Sequence, residues 1–216
     1  MKHFMSGLFV LVLCSASVLQ GQDDPLVIAP GITLPQTGIV FALDVVDEKP
    51  VLLFIPPSLI THNSHDGSNL LRRLFFMSPR TSIDLMGVHA RVAESSANPA
   101  FYVRLYGKNL ESLRSIVRLV RLQPQRDRRV VSILYGGALS PKRRRVYEDV
   151  SVTRVRLSDP SWVKLTPQTP LTPGEYSIAF MLPDPAQTAH EVYDFRIASP
   201  LPPQTKGKGS RINLEF

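Results

Sequence analysis

Leu171-Thr172-Pro173-Gly174-Glu175-Tyr176 reads as a turn that feeds a β-strand. Pro173 fixes its own φ, and Gly174 adopts backbone conformations that other residues avoid, so together they turn the chain. Beyond the turn Tyr176, Ile178 and Phe180 recur at period two and share one face, as a half-buried strand requires. A phenol buried beside such a corner must find a hydrogen-bond partner, and the corner leaves backbone groups unpaired that can supply one. Pro173, Gly174 and Tyr176 are therefore expected to be structural residues.

Outward from this corner, nineteen prolines and twelve glycines cut the chain into short pieces rich in Val, Ile, Leu, Tyr and Phe, which is how strands read. Seven such segments occupy residues 96–198: Ala100 to Tyr106, Ser115 to Leu122, Arg128 to Tyr135, Val146 to Leu157, Trp162 to Leu165, Glu175 to Leu182 and Val192 to Ile197. Seven short strands in about a hundred residues fit a two-sheet sandwich. One segment is ambiguous: Leu110, Leu113, Ile116, Val117 and Val120 also recur at helical spacing. A short helix or turn over Asn109–Leu113 followed by a strand is expected, with a helix throughout as the alternative. Residues 24–95 read as a small β-hairpin-rich N-terminal region. Gly38 to Val45 and Pro50 to Ile55 flank an acidic turn, and weaker strands are expected over Leu70 to Met77, Ser82 to Leu85 and Val88 to Ala93.

The six residues from Leu171 to Tyr176 resemble the tyrosine-corner signature of fibronectin type III and related Greek-key sandwiches. The resemblance implies that Tyr176 opens a strand and that its hydroxyl bonds back to the upstream backbone. More widely, Pro99, Phe101, Tyr102, Arg104 and Leu105, taken with Leu171 to Tyr176, look like a set of uncharacterised exported bacterial proteins. That likeness implies location and fold, and no activity. The fold class expected is all-β: a seven-strand immunoglobulin-like or fibronectin III-like Greek-key sandwich behind the N-terminal region.

The ends carry different signals. Met1-Lys2-His3 is basic, Phe4 to Cys14 is apolar except for Ser6 and Gly7, and small residues follow at Ser15-Ala16-Ser17. That order marks residues 1–21 as a secretory signal peptide, with cleavage after Ser17 or near Gly21. Leu13 before Cys14 speaks against lipidation, and the apolar run is short of the ~20 residues of a membrane span. Cys14 is the sole cysteine, so no disulfide is expected after cleavage. Residues 199–216 read as a Pro/Gly/Lys-rich tail ending in a short alternating strand, which docks on its own domain or on a partner's sheet edge.

Charge is uneven. Residues 24–95 carry five Lys/Arg against seven Asp/Glu, residues 96–198 sixteen against nine, and residues 199–216 three against one. Outside the cytoplasm nucleic acid is not an expected partner; a protein or an anionic cell-envelope component is. Lys142-Arg143-Arg144-Arg145 sits on a loop, with Arg126, Arg128 and Arg129 near the previous turn. Arg143, Arg144 and Arg145 are the expected binding residues, the competing reading being a solvated loop that blocks edge pairing. Arg118 and Arg121 interrupt an aliphatic strand and face a ligand or solvent.

A second reading takes His62, His65 and Asp66 as ligands of copper or zinc, although His, Asn, Ser, Asp and Gly also make ordinary turns. Trp162 is expected in packing rather than as a sugar platform, because carbohydrate sites gather several aromatics. No nucleophile elbow, His-Glu-x-x-His or phosphate loop is present. The expected protein is thus a non-catalytic binding or structural module without a cofactor. A metal-binding protein and a hydrolase with an unrecognised site are the alternatives.

Overall fold

The computed structural model describes residues 26–46, 48–74, 79–107, 110–136, 143–182 and 191–198. The leader expected over residues 1–21 and the tail over residues 199–216 lie outside them. In chain order the strands up to residue 95 are β1 (Val27–Ala29), β2 (Ile32–Thr33), β3 (Val40–Val46), β4 (Lys49–Ile55), β5 (Ile60–Asn63), β6 (Arg80–Met86) and β7 (Val92–Glu94), with helix α1 (Asp66–Leu74) between β5 and β6. Then come β8 (Ala100–Arg104), helix α2 (Leu110–Ile116), β9 (Val117–Arg121), β10 (Gln123–Pro124), β11 (Arg128–Tyr135) and β12 (Arg144–Val146). The last five are β13 (Glu148–Val150), β14 (Val152–Arg156), β15 (Trp162–Pro167), β16 (Gly174–Phe180) and β17 (Val192–Ile197). The protein is mostly β, and no helix among the described residues is long and apolar enough to cross a membrane.

Three five-stranded sheets are stacked. The central one runs β13-β9-β16-β17-β7, and β7 lies parallel to β17. The second runs β14-β15-β8-β3-β4. The third runs β10-β11-β6-β5, with β12 also on β11. Each takes strands from both sides of residue 95. Between the central and second sheets Leu119, Tyr176, Ile178 and Phe195 meet Val40, Phe101, Val103 and Leu165. On the other face of the central sheet Val120, Ala179 and Val192 pack with Ile83, Leu85 and Val131 of the third. The outer face of the second sheet is covered in turn. Phe41, Tyr102 and Trp162 pack there with Leu26, Ile28 and Leu34 from the β1–β2 hairpin. Trp162 is buried, as a packing residue should be.

The corner has the geometry its residues call for. Tyr176 is buried, and its hydroxyl donates to the carbonyl oxygen of Thr172 at 2.8 Å. Tyr176→Phe removes the donor and leaves that carbonyl short of a partner. The expected cost is about 1–2 kcal/mol, read as a lower urea midpoint with an unchanged slope.

Three expectations are corrected. β16 is not half-buried: Glu175, Ser177 and Ala179, on the face opposite Tyr176 and Ile178, are buried too, because the third sheet covers them. The strand expected over Leu70 to Met77 is helical as far as Leu74; Leu70 and Leu71 stay exposed, and the Asn69 amide closes a helical turn on the His65 carbonyl. Residues 75–78 lie outside the described residues. The single strand expected over Val146 to Leu157 is three, since β12, β13 and β14 join the third, central and second sheets in succession. Alternation gives each residue a side but not a neighbour, so it cannot show a chain stepping between layers. The helix-then-strand order is present as α2 and β9, but the helix runs on through Ser115 and Ile116, which were expected in the strand; residue 109 lies outside the described residues.

Candidate functional site

Arg143, Arg144 and Arg145 line one cleft together with Arg118. Antiparallel pairing of β12 with β11 sets Arg144 opposite Tyr135 and Arg145 opposite Leu134. The Arg144 guanidinium lies 5.8 Å from the centre of the Tyr135 ring, a cation–π distance. Arg145 Nη1 approaches Met181 Sδ at 4.0 Å. Arg118 enters from β9, where it is paired with Ala179 of β16. Ser115, Ile116, Tyr147, Met181 and Leu182 complete the described lining of a cavity of about 460 Å³, and no carboxylate is among them. Lys142 lies outside the described residues.

The Arg118 charge also reaches β14. Arg154, whose Nη2 donates to the Val117 carbonyl at 3.0 Å, has its pKa lowered, first by burial and then by the Arg118 charge; Asp149 opposes this. The sequence offered Arg118 only as a residue facing a ligand or solvent. Nothing local revealed that β9 and β12 would bring it beside Arg143, Arg144 and Arg145.

The other arginines do not join them in one face. Arg126 is exposed. Arg128 pairs with Asp127 at 3.0 Å and with the buried Asp84 at 3.3 Å. Arg129 is buried at 3% exposure. Its Nη1 donates to Glu175 at 3.3 Å and to Asp194, Nε to the Gly87 carbonyl at 3.0 Å, and Nη2 to the Met86 carbonyl at 3.1 Å. It therefore pins the third sheet to the central one. Glu175 also accepts from the Ala90 amide at 2.8 Å and meets His89 Nδ1 at 2.9 Å, while Ser58 donates to Asp194.

Ser58, His89 and Arg129 line a second cleft of about 330 Å³. A His whose Nδ1 faces a carboxylate is the orienting half of a hydrolytic triad. Here the serine hydroxyl bonds Asp194, and among the described residues no hydrogen bond joins Ser58 to His89. The arrangement holds a buried arginine in place.

The histidine loop is described only in part. His65 Nε2 lies 2.9 Å from Ser82 Oγ, and its pKa is lowered by burial and then by the Arg80 charge. His62 is exposed on β5. The Asp66 side chain lies outside the described residues, and among those described no three His, Cys, Asp or Glu side chains gather to hold a metal ion. One more polar pair went unnoticed in the sequence. Asp44 and Glu94 are buried at 1% and 0% exposure, the first on β3 and the second on β7.

Comparison with family models, with curated proteins and with solved structures finds no match to this chain.

Proposed function

We propose that this protein is an exported, non-catalytic β-sandwich module that binds an anionic protein or cell-envelope component through the cleft of Arg118, Arg143, Arg144 and Arg145. The single observation behind this is that four arginines, Arg118, Arg143, Arg144 and Arg145, line one cavity. Guanidinium is weakly hydrated and offers a planar fork of donors, which suits carboxylate and phosphate partners. Set beside apolar Ile116, Met181 and Leu182, that charge acts across a wall that screens it less than open water does.

The immunoglobulin-like or fibronectin III-like reading of the sandwich is supported by strand order and by the corner. β16 pairs with both β9 and β17, β7 runs parallel to β17, and Tyr176 bonds back to Thr172. The export reading rests on the basic, apolar and small-residue order of residues 1–21.

A direct test uses immobilised poly-glutamate as the probe. Retention is expected to fall as salt rises toward and beyond 0.15 M, where screening sets in within ~8 Å. Replacing Arg143, Arg144 and Arg145 together with Ser should weaken binding by roughly tenfold or more, summed from modest single-charge effects. Equal retention by the variant and the parent would remove the arginine cleft from the account.

A further inference from the structure

β4 is an outer strand of the second sheet, and among the described residues no strand pairs with its far side. Two residues join Val46 to Lys49, so that pair carries ladder bonds, and the bonding pairs alternate from there. Val51, Leu53 and Ile55 therefore bond β3, while Leu52 and Phe54 turn their backbone amides and carbonyls outward. Pro50, at the same kind of position, has no amide hydrogen to place, which is where proline fits an edge. The core is unfinished along this line. Val51 and Leu53 point between the second and central sheets and stay half-buried, whereas their partners on β3, Asp44 and Ala42, are buried. Phe54, on the outer face, is 49% exposed. A long, apolar, open edge invites another strand. The other outer strands are poorer hosts. β14 exposes Thr153, Arg154 and Arg156, and β13 carries Glu148 and Asp149. β5 is short and polar, and β7, β10 and β12 have three residues or fewer.

We infer that β4 is the docking edge for Ile212-Asn213-Leu214-Glu215-Phe216 of the same chain, which adds a strand to the second sheet. In that strand Ile212, Leu214 and Phe216 face inward beside Val51 and Leu53, and Asn213 and Glu215 face outward, as period two requires. The outward amides and carbonyls of Leu52 and Phe54 supply the main-chain bonds, and the apolar side chains close the open line of the core. The route is short. The chain leaves β17 at Ala198, whose amide bonds the Glu94 carbonyl at 3.2 Å. The Glu94 carboxyl neighbours that of Asp44, and Asp44 is paired with Val51 of β4. Thirteen residues, 199–211, separate Ala198 from Ile212. Extended, they span up to ~43 Å, against ~20 Å for the length of β4, so either strand direction is within reach.

The test is amide hydrogen exchange of the full chain, read residue by residue by NMR. In the parent the Leu52 and Phe54 amides should be protected although β3 does not bond them. Leu214→Asp sets a charge on the inward face and should speed exchange at both amides roughly tenfold or more. Asn213→Asp sets the same charge on the outward face and should leave both rates unchanged. Ile178, in the middle of β16, should exchange at the same rate in all three proteins, which shows that the stacked sheets stay assembled. Exchange at Leu52 and Phe54 as fast as in an unfolded peptide would overturn the inference. Equal protection in the parent and in Leu214→Asp would do the same. Protection that fades on dilution also overturns it, because a second copy then supplies the strand.

Discussion

Replacing Arg129 with alanine is expected to lower the stability of the fold by about 3–5 kcal/mol, the range found when one partner of a buried ion pair is removed. The guanidinium is enclosed between the central and third sheets, where Glu175 is also buried. Alanine leaves Glu175 and Asp194 facing each other's side of a gap with their countercharge gone, and it frees the Gly87 and Met86 carbonyls as well. The cost is therefore mainly that of stranded charge, and it should be recovered by removing the charges. Arg129→Met combined with Glu175→Gln and Asp194→Asn is expected to regain most of the loss, because a neutral cluster of similar volume needs no countercharge. Urea denaturation of the three proteins decides the matter. A loss below about 1 kcal/mol for Arg129→Ala would mean that this cluster does not hold the sheets together.

Alkaline pH is expected to destabilise the protein through Glu94. Both of its carboxyl oxygens are buried, and the Asp44 carboxylate is their neighbour. Burial, and then the neighbouring Asp44 carboxylate, push the Glu94 pKa up from 4.5 to about 8. Between those values the unfolded chain has released the proton that the folded chain keeps. Folding then takes up a proton, and stability falls as pH rises from about 4.5 to about 8. Asp44 behaves in the opposite sense. Burial alone would raise its pKa, but the Ser95 hydroxyl and the backbone amides of Ser95, Val45 and Ser96 together bring it below 3.8. The stability Asp44 contributes is complete above its unfolded pKa and is lost in acid.

Glu94→Gln keeps the shape and removes the titration. At pH 9 it should stabilise the fold by up to ~5 kcal/mol, each pKa unit being worth ~1.36 kcal/mol, and it should flatten the fall between pH 5 and pH 9. Urea midpoints at pH 5, 7 and 9 measure both effects. A parent protein as stable at pH 9 as at pH 5, or a Gln variant with the same pH slope, would contradict this account of the pair.

The arginine cleft was half visible in advance. Arg143, Arg144 and Arg145 are consecutive, so their clustering is a property of the chain alone. Arg118 is 25 residues away by number from Arg143, and only the third sheet's attachment beside β9 and β16 brings them to one cavity. Arg128 and Arg129 show the limit more sharply. They are adjacent, carry the same charge and sit after the same turn, yet Arg128 reaches Asp127 near the surface and Arg129 is enclosed. Successive residues of a strand point to opposite faces, and which face is buried depends on what packs there.

Most strands, and the corner at Pro173, Gly174 and Tyr176, were written in the sequence by itself, because period-two alternation and turn chemistry act over a few neighbouring residues. The stacking of a third sheet on β16, the division of residues 144–156 among three sheets, and the meeting of Asp44 with Glu94 were decided only by tertiary structure. Each depends on pairings between distant segments, β6 with β11 and β7 with β17 among them. Local alternation places a side chain on a face, and only those long-range pairings determine whether that face meets water or another sheet.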